Sequence, residues 1–158
     1  QYRIEASNFA DQILGEIWLN VDRSNPGALP IPPNLQASLL QFQHHPGGAI
    51  SSCQFTGAAA VDPGGLVFAW ANQVAGAGGL PGAAEDPPAV FKQQILVSPA
   101  GGAFNQVTVT LCWQAPLDTT PHRHTVVTFV NCRAGSTPCP PSRPAAPTPN
   151  AASACSRS

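Results

Sequence analysis

Charge is the scarcest resource in this sequence. Lys and Arg total seven, Asp and Glu eight, and the net charge is −1. Nucleic-acid affinity rests on neutralising phosphates with a basic surface, so a supply this sparse excludes that class of partner. Long hydrophobic runs are also missing, and no apolar stretch approaches the ~20 residues of a membrane span. Methionine is absent and the first residue is Gln, so the chain reads as a processed or truncated product. The five cysteines lack zinc-type spacing: there is no C-x-x-C, and Cys132 and Cys139 are seven apart. The expectation is an oxidising compartment with one or two disulfides. Because five is odd, at least one thiol is free or bonded to another chain.

What is present begins with an amphipathic stretch. At helical period Tyr2, Ala6, Phe9, Ile13, Ile17 and Val21 share one face, widened by Ala10, Leu14 and Trp18. Arg3, Glu5, Asn8, Asp11, Gln12 and Glu16 keep the other side wet. The cluster Asp22, Ser24, Asn25, Pro26, Gly27 ends the helix, since Pro26 pushes its predecessor away from helical geometry. The length of 158 residues fits one domain plus a tail.

Residues 26–61 read as a connector punctuated by Pro and Gly. Within it Leu35, Leu39, Leu40 and Phe42 could give a short helix, and Ala49–Phe55 an irregular strand around Cys53. A further helix is predicted from Val61, with Asp62 as N-cap and Pro63 at the first helical position, stopped by Gly76, Gly78 and Gly79. Trp18, Trp70 and Trp113 are each expected on the apolar face of an element, as core. Three strands follow. Val90–Val97 is β-rich, and Asn105–Ala115 alternates Val107, Val109, Leu111 and Trp113 against Thr108, Thr110 and Cys112. His124–Cys132 closes the set. Beyond Cys132 the Pro/Ala/Ser/Thr composition cannot bury a core, and the segment reads as a tail.

The chemistry-bearing residues do not converge. His122 and His124 lie two apart, and His44 and His45 are adjacent in a loop. A zinc enzyme needs three ligands and a base; no H-E-x-x-H occurs, and Arg123 between the pair repels a cation. Exposed turn residues are the simpler reading of all four. No G-x-S-x-G elbow or phosphate loop is present, and capping and turn roles account for Asp62, Glu85 and Asp86. No catalytic residues, metal ligands or cofactor are expected.

Three strings in order carry a resemblance: ASNFADQILGEIWLNVDRSNPGA, then DPGGLVFAWANQVAGAGGLPGA, then VTVTLCWQAP with PHRHTVVTFV. Together they resemble the type IV pilus minor pilins of the pilus modification protein (PilV-like) group. That family's prepilin start, a Gly before Phe-Thr-Leu-x-Glu and an apolar segment, is missing, as in a soluble piece cut after the membrane half of the helix. The resemblance implies an α+β, type IV pilin-like fold: a long N-terminal helix on a small antiparallel sheet of about three or four strands, with a short second helix in the connector. Its domain would span residues 1–132, with 1–24 as the C-terminal half of the long helix and 133–158 as a tail. It also implies a non-enzymatic subunit that primes or joins pilus assembly, with other minor pilins, the major pilin and a large tip adhesin as partners. Before assembly such a protein sits in the inner membrane of a Gram-negative bacterium, its domain periplasmic. Alternatives are a minor pseudopilin of a type II secretion system and, from another class, a secreted binding domain or metal-dependent hydrolase.

Phe9, Ile13, Ile17, Val107, Val109, Leu111 and Trp113 are expected to share one core. For the disulfides Cys132–Cys139 is the first expectation, since a short step through Gly135 and Pro138 closes easily. Cys53–Cys112 is the second, and Cys155 has no assigned partner. Partner recognition is expected on the exposed helix face and on the connector from Pro26 to Phe55.

Overall fold

The computed structural model describes residues 1–23, 33–84, 90–98 and 105–130. The fold is α+β. Helix α1 (Tyr2–Asn20) is followed by α2 (Pro33–Gln41), then by strands β1 (Gly47–Ala49) and β2 (Gln54–Thr56) with a 3-10 turn, Ile50–Ser52, between them. Helix α3 (Leu66–Ala75) leads to three strands, β3 (Gln93–Ser98), β4 (Gln106–Trp113) and β5 (His122–Phe129). These pair antiparallel in the order β3-β4-β5, and β1-β2 form a separate hairpin.

Helix α1 forms because its apolar residues recur at three and four. Ala6, Ala10, Ile13, Leu14 and Ile17 are buried, and Val21 continues the stripe just beyond the last turn, its N–H donating to Ile17 O at 3.0 Å. The stripe lies on one face of the sheet, where Ile95, Val97, Val107, Val109, Leu111 and Trp113 are buried with it in one cluster. Phe9 is partly buried against that cluster. The two ends of the stripe depart from expectation: Tyr2 is 39% exposed and Trp18 38%. Trp18 is not core; the Arg23 guanidinium lies over its ring at 5.2 Å, an arrangement suited to an indole at the rim.

Helix α3 starts later than predicted, at Leu66 rather than Val61. Gly65, at φ 64°, is its N-cap residue, and Pro63 lies in the turn before it. Asp62 still serves the helix end, because its Oδ2 accepts the N–H of Leu66 and of Val67, at 2.6 and 3.4 Å. One turn of loop is inserted between the capping carboxylate and the helix it caps. Trp70 is buried and its Nε1–H donates to Phe9 O at 2.8 Å, locking α3 against α1.

The predicted irregular strand around Cys53 resolves into the β1–β2 hairpin. Gly48 has φ 90°, and a Cβ there would strike the Gln54 carbonyl, so the close crossing of the two strands requires glycine. The third strand of the sheet begins at His122, two residues before the predicted start. On β5 the even residues His124, Val126 and Thr128 are half-buried, while Thr125, Val127 and Phe129 are exposed.

Candidate functional site

The outer face of the sheet, opposite α1, carries a second, smaller cluster. Cys53, Phe55 and Cys112 are buried there, with Ile50 and Phe91 packed against them. Cys53 and Cys112 are joined by a disulfide with a Cα–Cα distance of 5.8 Å. Cys112 faces this way because alternation along β4 sends it opposite Leu111 and Trp113. The bond therefore pins the β1–β2 hairpin to the sheet's central strand. Cys132, Cys139 and Cys155 lie outside the described residues, and so does the expected Cys132–Cys139 pairing.

His44 and His45 overturn the expectation of exposed turn residues: they retain 5% and 3% of their exposure. His44 joins the connector to β3 through its backbone, donating to Ile95 O at 2.9 Å and accepting from Ile95 N–H at 3.0 Å. Its Nδ1 accepts the N–H of Ala60 at 3.2 Å, which requires that nitrogen to be unprotonated. Burial, together with the neighbouring His45 ring 3.9 Å away, pushes the His44 pKa down from 6.5 to about 4. The imidazole is thus neutral at physiological pH and committed to a backbone donor. His45 stacks on Phe91 with ring centroids 3.4 Å apart, and its Nδ1 lies 2.8 Å from Gly57 O. Gln94 completes the node, its Nε2 donating to His45 O at 2.9 Å and to Gly47 O at 3.2 Å. The weak sequence signal for this node was the step from buried Phe42 to His44, two residues apart and both turned inward.

His122 and His124 share the inward-facing side of β5 but not a site. His122 Nε2 lies 3.0 Å from Asp118 Oδ2, and its ring stacks on Trp113 at 5.7 Å. His124 pairs across the strands with Leu111. Asp118 also accepts the N–H of Ala115 at 3.1 Å, so its carboxylate closes the β4–β5 turn. These residues border an open cleft of about 240 Å³, lined by Gln1, Tyr2, Arg3, Trp113, Asp118 and His122. Among the described residues no three His, Cys, Asp or Glu side chains come together in a way that could hold a metal ion. None of the described helices is long and apolar enough to cross a membrane.

No protein-family model, curated protein or solved structure matches this chain.

Proposed function

We propose that this chain is a structural subunit of a type IV pilus, a minor pilin that primes or joins filament assembly. The observation that carries the proposal is the layout of α1. It is the longest described element, it opens the chain, and it lies with its apolar stripe across the antiparallel sheet while Ile4 and Leu19 remain 69% and 81% exposed. A helix that buries one face on its own domain and keeps apolar residues on another is suited to packing against neighbouring subunits. The ordered strings in α1, α3 and the β4–β5 hairpin add the resemblance to PilV-like minor pilins. A pinned hairpin and a long connector on a rigid sheet also suit recognition of other minor pilins, the major pilin or a tip adhesin. Under this reading the protein is not an enzyme, and α1 continues into an apolar segment held in the inner membrane with the domain in the periplasm.

The test is deletion of the gene in the source organism. Loss of most surface filaments, with loss of filament-dependent motility or adhesion, is the expected result. Normal filaments with a block in protein export point instead to a type II secretion pseudopilin. Normal filaments and normal export overturn the assembly reading.

A further inference from the structure

Strand β5 is the edge of the sheet, and the hydrogen-bond register fixes which of its backbone groups face out. Val130 N–H donates to Asn105 O at 3.0 Å, in line with the β4–β5 register. In an antiparallel ladder, residues alternate between turning both backbone groups to the neighbour and turning both away. His124, Val126 and Thr128 therefore bond β4, and Arg123, Thr125, Val127 and Phe129 turn their N–H and C=O outward. Strand β4 agrees: Cys112 N–H donates to Lys92 O at 2.9 Å, committing its even residues to β3 and its odd ones to β5. All four outward residues are exposed, with Val127 at 49% and Phe129 at 50%. Among the described residues nothing pairs with their backbone groups. The opposite edge differs, since His44 bridges Ile95 there.

An edge of eight residues with no Pro, Gly or Lys and no bulge is a template for another strand. We propose that the strand it takes is β5 of a second copy, antiparallel about a two-fold axis at Val126, giving one continuous six-stranded sheet. The pattern is self-complementary in that register. Thr125 meets the other copy's Val127, Arg123 meets the other copy's Phe129, and every outward N–H and C=O on both strands finds a partner, about eight hydrogen bonds in all. The match of faces selects the antiparallel arrangement. Arg123 is the one residue of β5 that is charged at every physiological pH, and its Nη1 donates to Ile50 O at 2.9 Å, which holds it on the outer face that Phe129 shares. Parallel pairing of the same edge would turn one sheet over and put its Phe129 on the face opposite Arg123. The two-fold pairing sets each guanidinium beside an aromatic ring and keeps the charges ~20 Å apart at ~3.4 Å per residue. None of this depends on the filament reading.

Sedimentation velocity over a concentration series, with residue-resolved amide exchange on the whole chain, tests the proposal. The expected result is a monomer–dimer equilibrium, in which the amides of Thr125, Val127 and Phe129 gain protection as concentration rises. Those of Val126 and Thr128 stay protected throughout. Val127→Pro deletes one outward N–H and no ladder bond, and Val127→Lys places two cations near the axis. Each should raise the dimer dissociation constant at least roughly tenfold. The lysine variant, at a half-exposed position, keeps the melting temperature of the parent, and should the proline variant fail to fold, exchange in the parent chain decides. A monomer up to ~0.5 mM, or a dimer indifferent to Val127→Lys, overturns the pairing. So do odd-numbered amides already protected in the dilute monomer, which would mean that the chain covers its own edge.

Discussion

The two faces of the three-stranded sheet are covered by different means. On the inner face α1 lays down a stripe long enough to hold itself by burial: Ala6, Ala10, Ile13 and Ile17 are sealed against Val107, Val109 and Leu111. On the outer face the cover is a hairpin of two three-residue strands. A hairpin that small is marginal by itself, and its apolar contribution reduces to Phe55 with Ile50 and Phe91 around the cystine. A covalent bond and a polar node supply what area cannot. Where an element is long, hydrophobic burial fixes it; where it is short, the fold relies on cross-links, and cross-links respond to redox state and pH.

The largest expected effect breaks the inner face. Trp113→Ala empties a buried site beneath α1 and should cost roughly 3–5 kcal/mol in denaturant unfolding, with Ile13→Ala close behind. Trp18→Ala, at the exposed end of the same helix, should cost less than ~0.5 kcal/mol. Equal losses at Ile13 and Trp18 would remove the distinction between stripe and rim.

Breaking the outer cross-link comes next. Cys53 and Cys112 are 59 residues apart in sequence, and opening a loop of that size should cost roughly 2–4 kcal/mol. The double variant Cys53→Ala, Cys112→Ala should show that loss while retaining the far-ultraviolet signature of α1. A variant that keeps full stability contradicts the pinning role.

Acid should act on the polar node where the connector meets β3. With its folded-state pKa near 4 and an ordinary value of 6.5, His44 takes up a proton less readily folded than unfolded. Its contribution is complete above pH ~6.5 and is lost as pH falls towards 4, a change of about 3 kcal/mol at most. Stability measured from pH 7 to 4.5 should fall in the parent chain and fall less in His44→Gln, which can still accept the Ala60 N–H. Parallel curves would detach the pH response from this imidazole.

The smallest effect sharpens the link between connector and helix. Asp62→Ala removes the acceptor for two N–H groups of α3 and should cost about 1 kcal/mol. Asp62→Asn should recover most of it, as read by thermal melts.

The sequence made the inner face legible and left the outer face obscure, for physical reasons. Period 3.6 in α1 and period 2 in β4 report directly on burial, so Ile13, Ile17, Val107, Val109 and Leu111 declare themselves. Tyr2 and Trp18 obey the same period, but exposure at a helix end depends on where the sheet stops, which no period encodes. The start of β5 was obscured by Pro121 and the His-Arg-His run, which read as turn chemistry. The strings GGA and QFT of β1 and β2 are too short for any period. His44 and His45, followed by Pro46 and two glycines, have a loop's composition; what buries them is Phe91 and β3, far along the chain. Cys53–Cys112 was legible only as one of several pairings, because connectivity depends on which strand face meets which loop.

The most direct test of the contrast between the helix-covered core and the cross-linked connector is native-state amide exchange at neutral pH and at about pH 4.5, corrected for intrinsic rates. Ala60 N–H donates to His44 Nδ1, His45 N–H to Ala58 O and Phe55 N–H to Phe91 O. Those three amides should lose protection on acidification, while Ile13, Ile17, Val109 and Leu111 on the inner face retain theirs. Loss of protection in both sets together, or an Ala60 amide unmoved by acid, would contradict it.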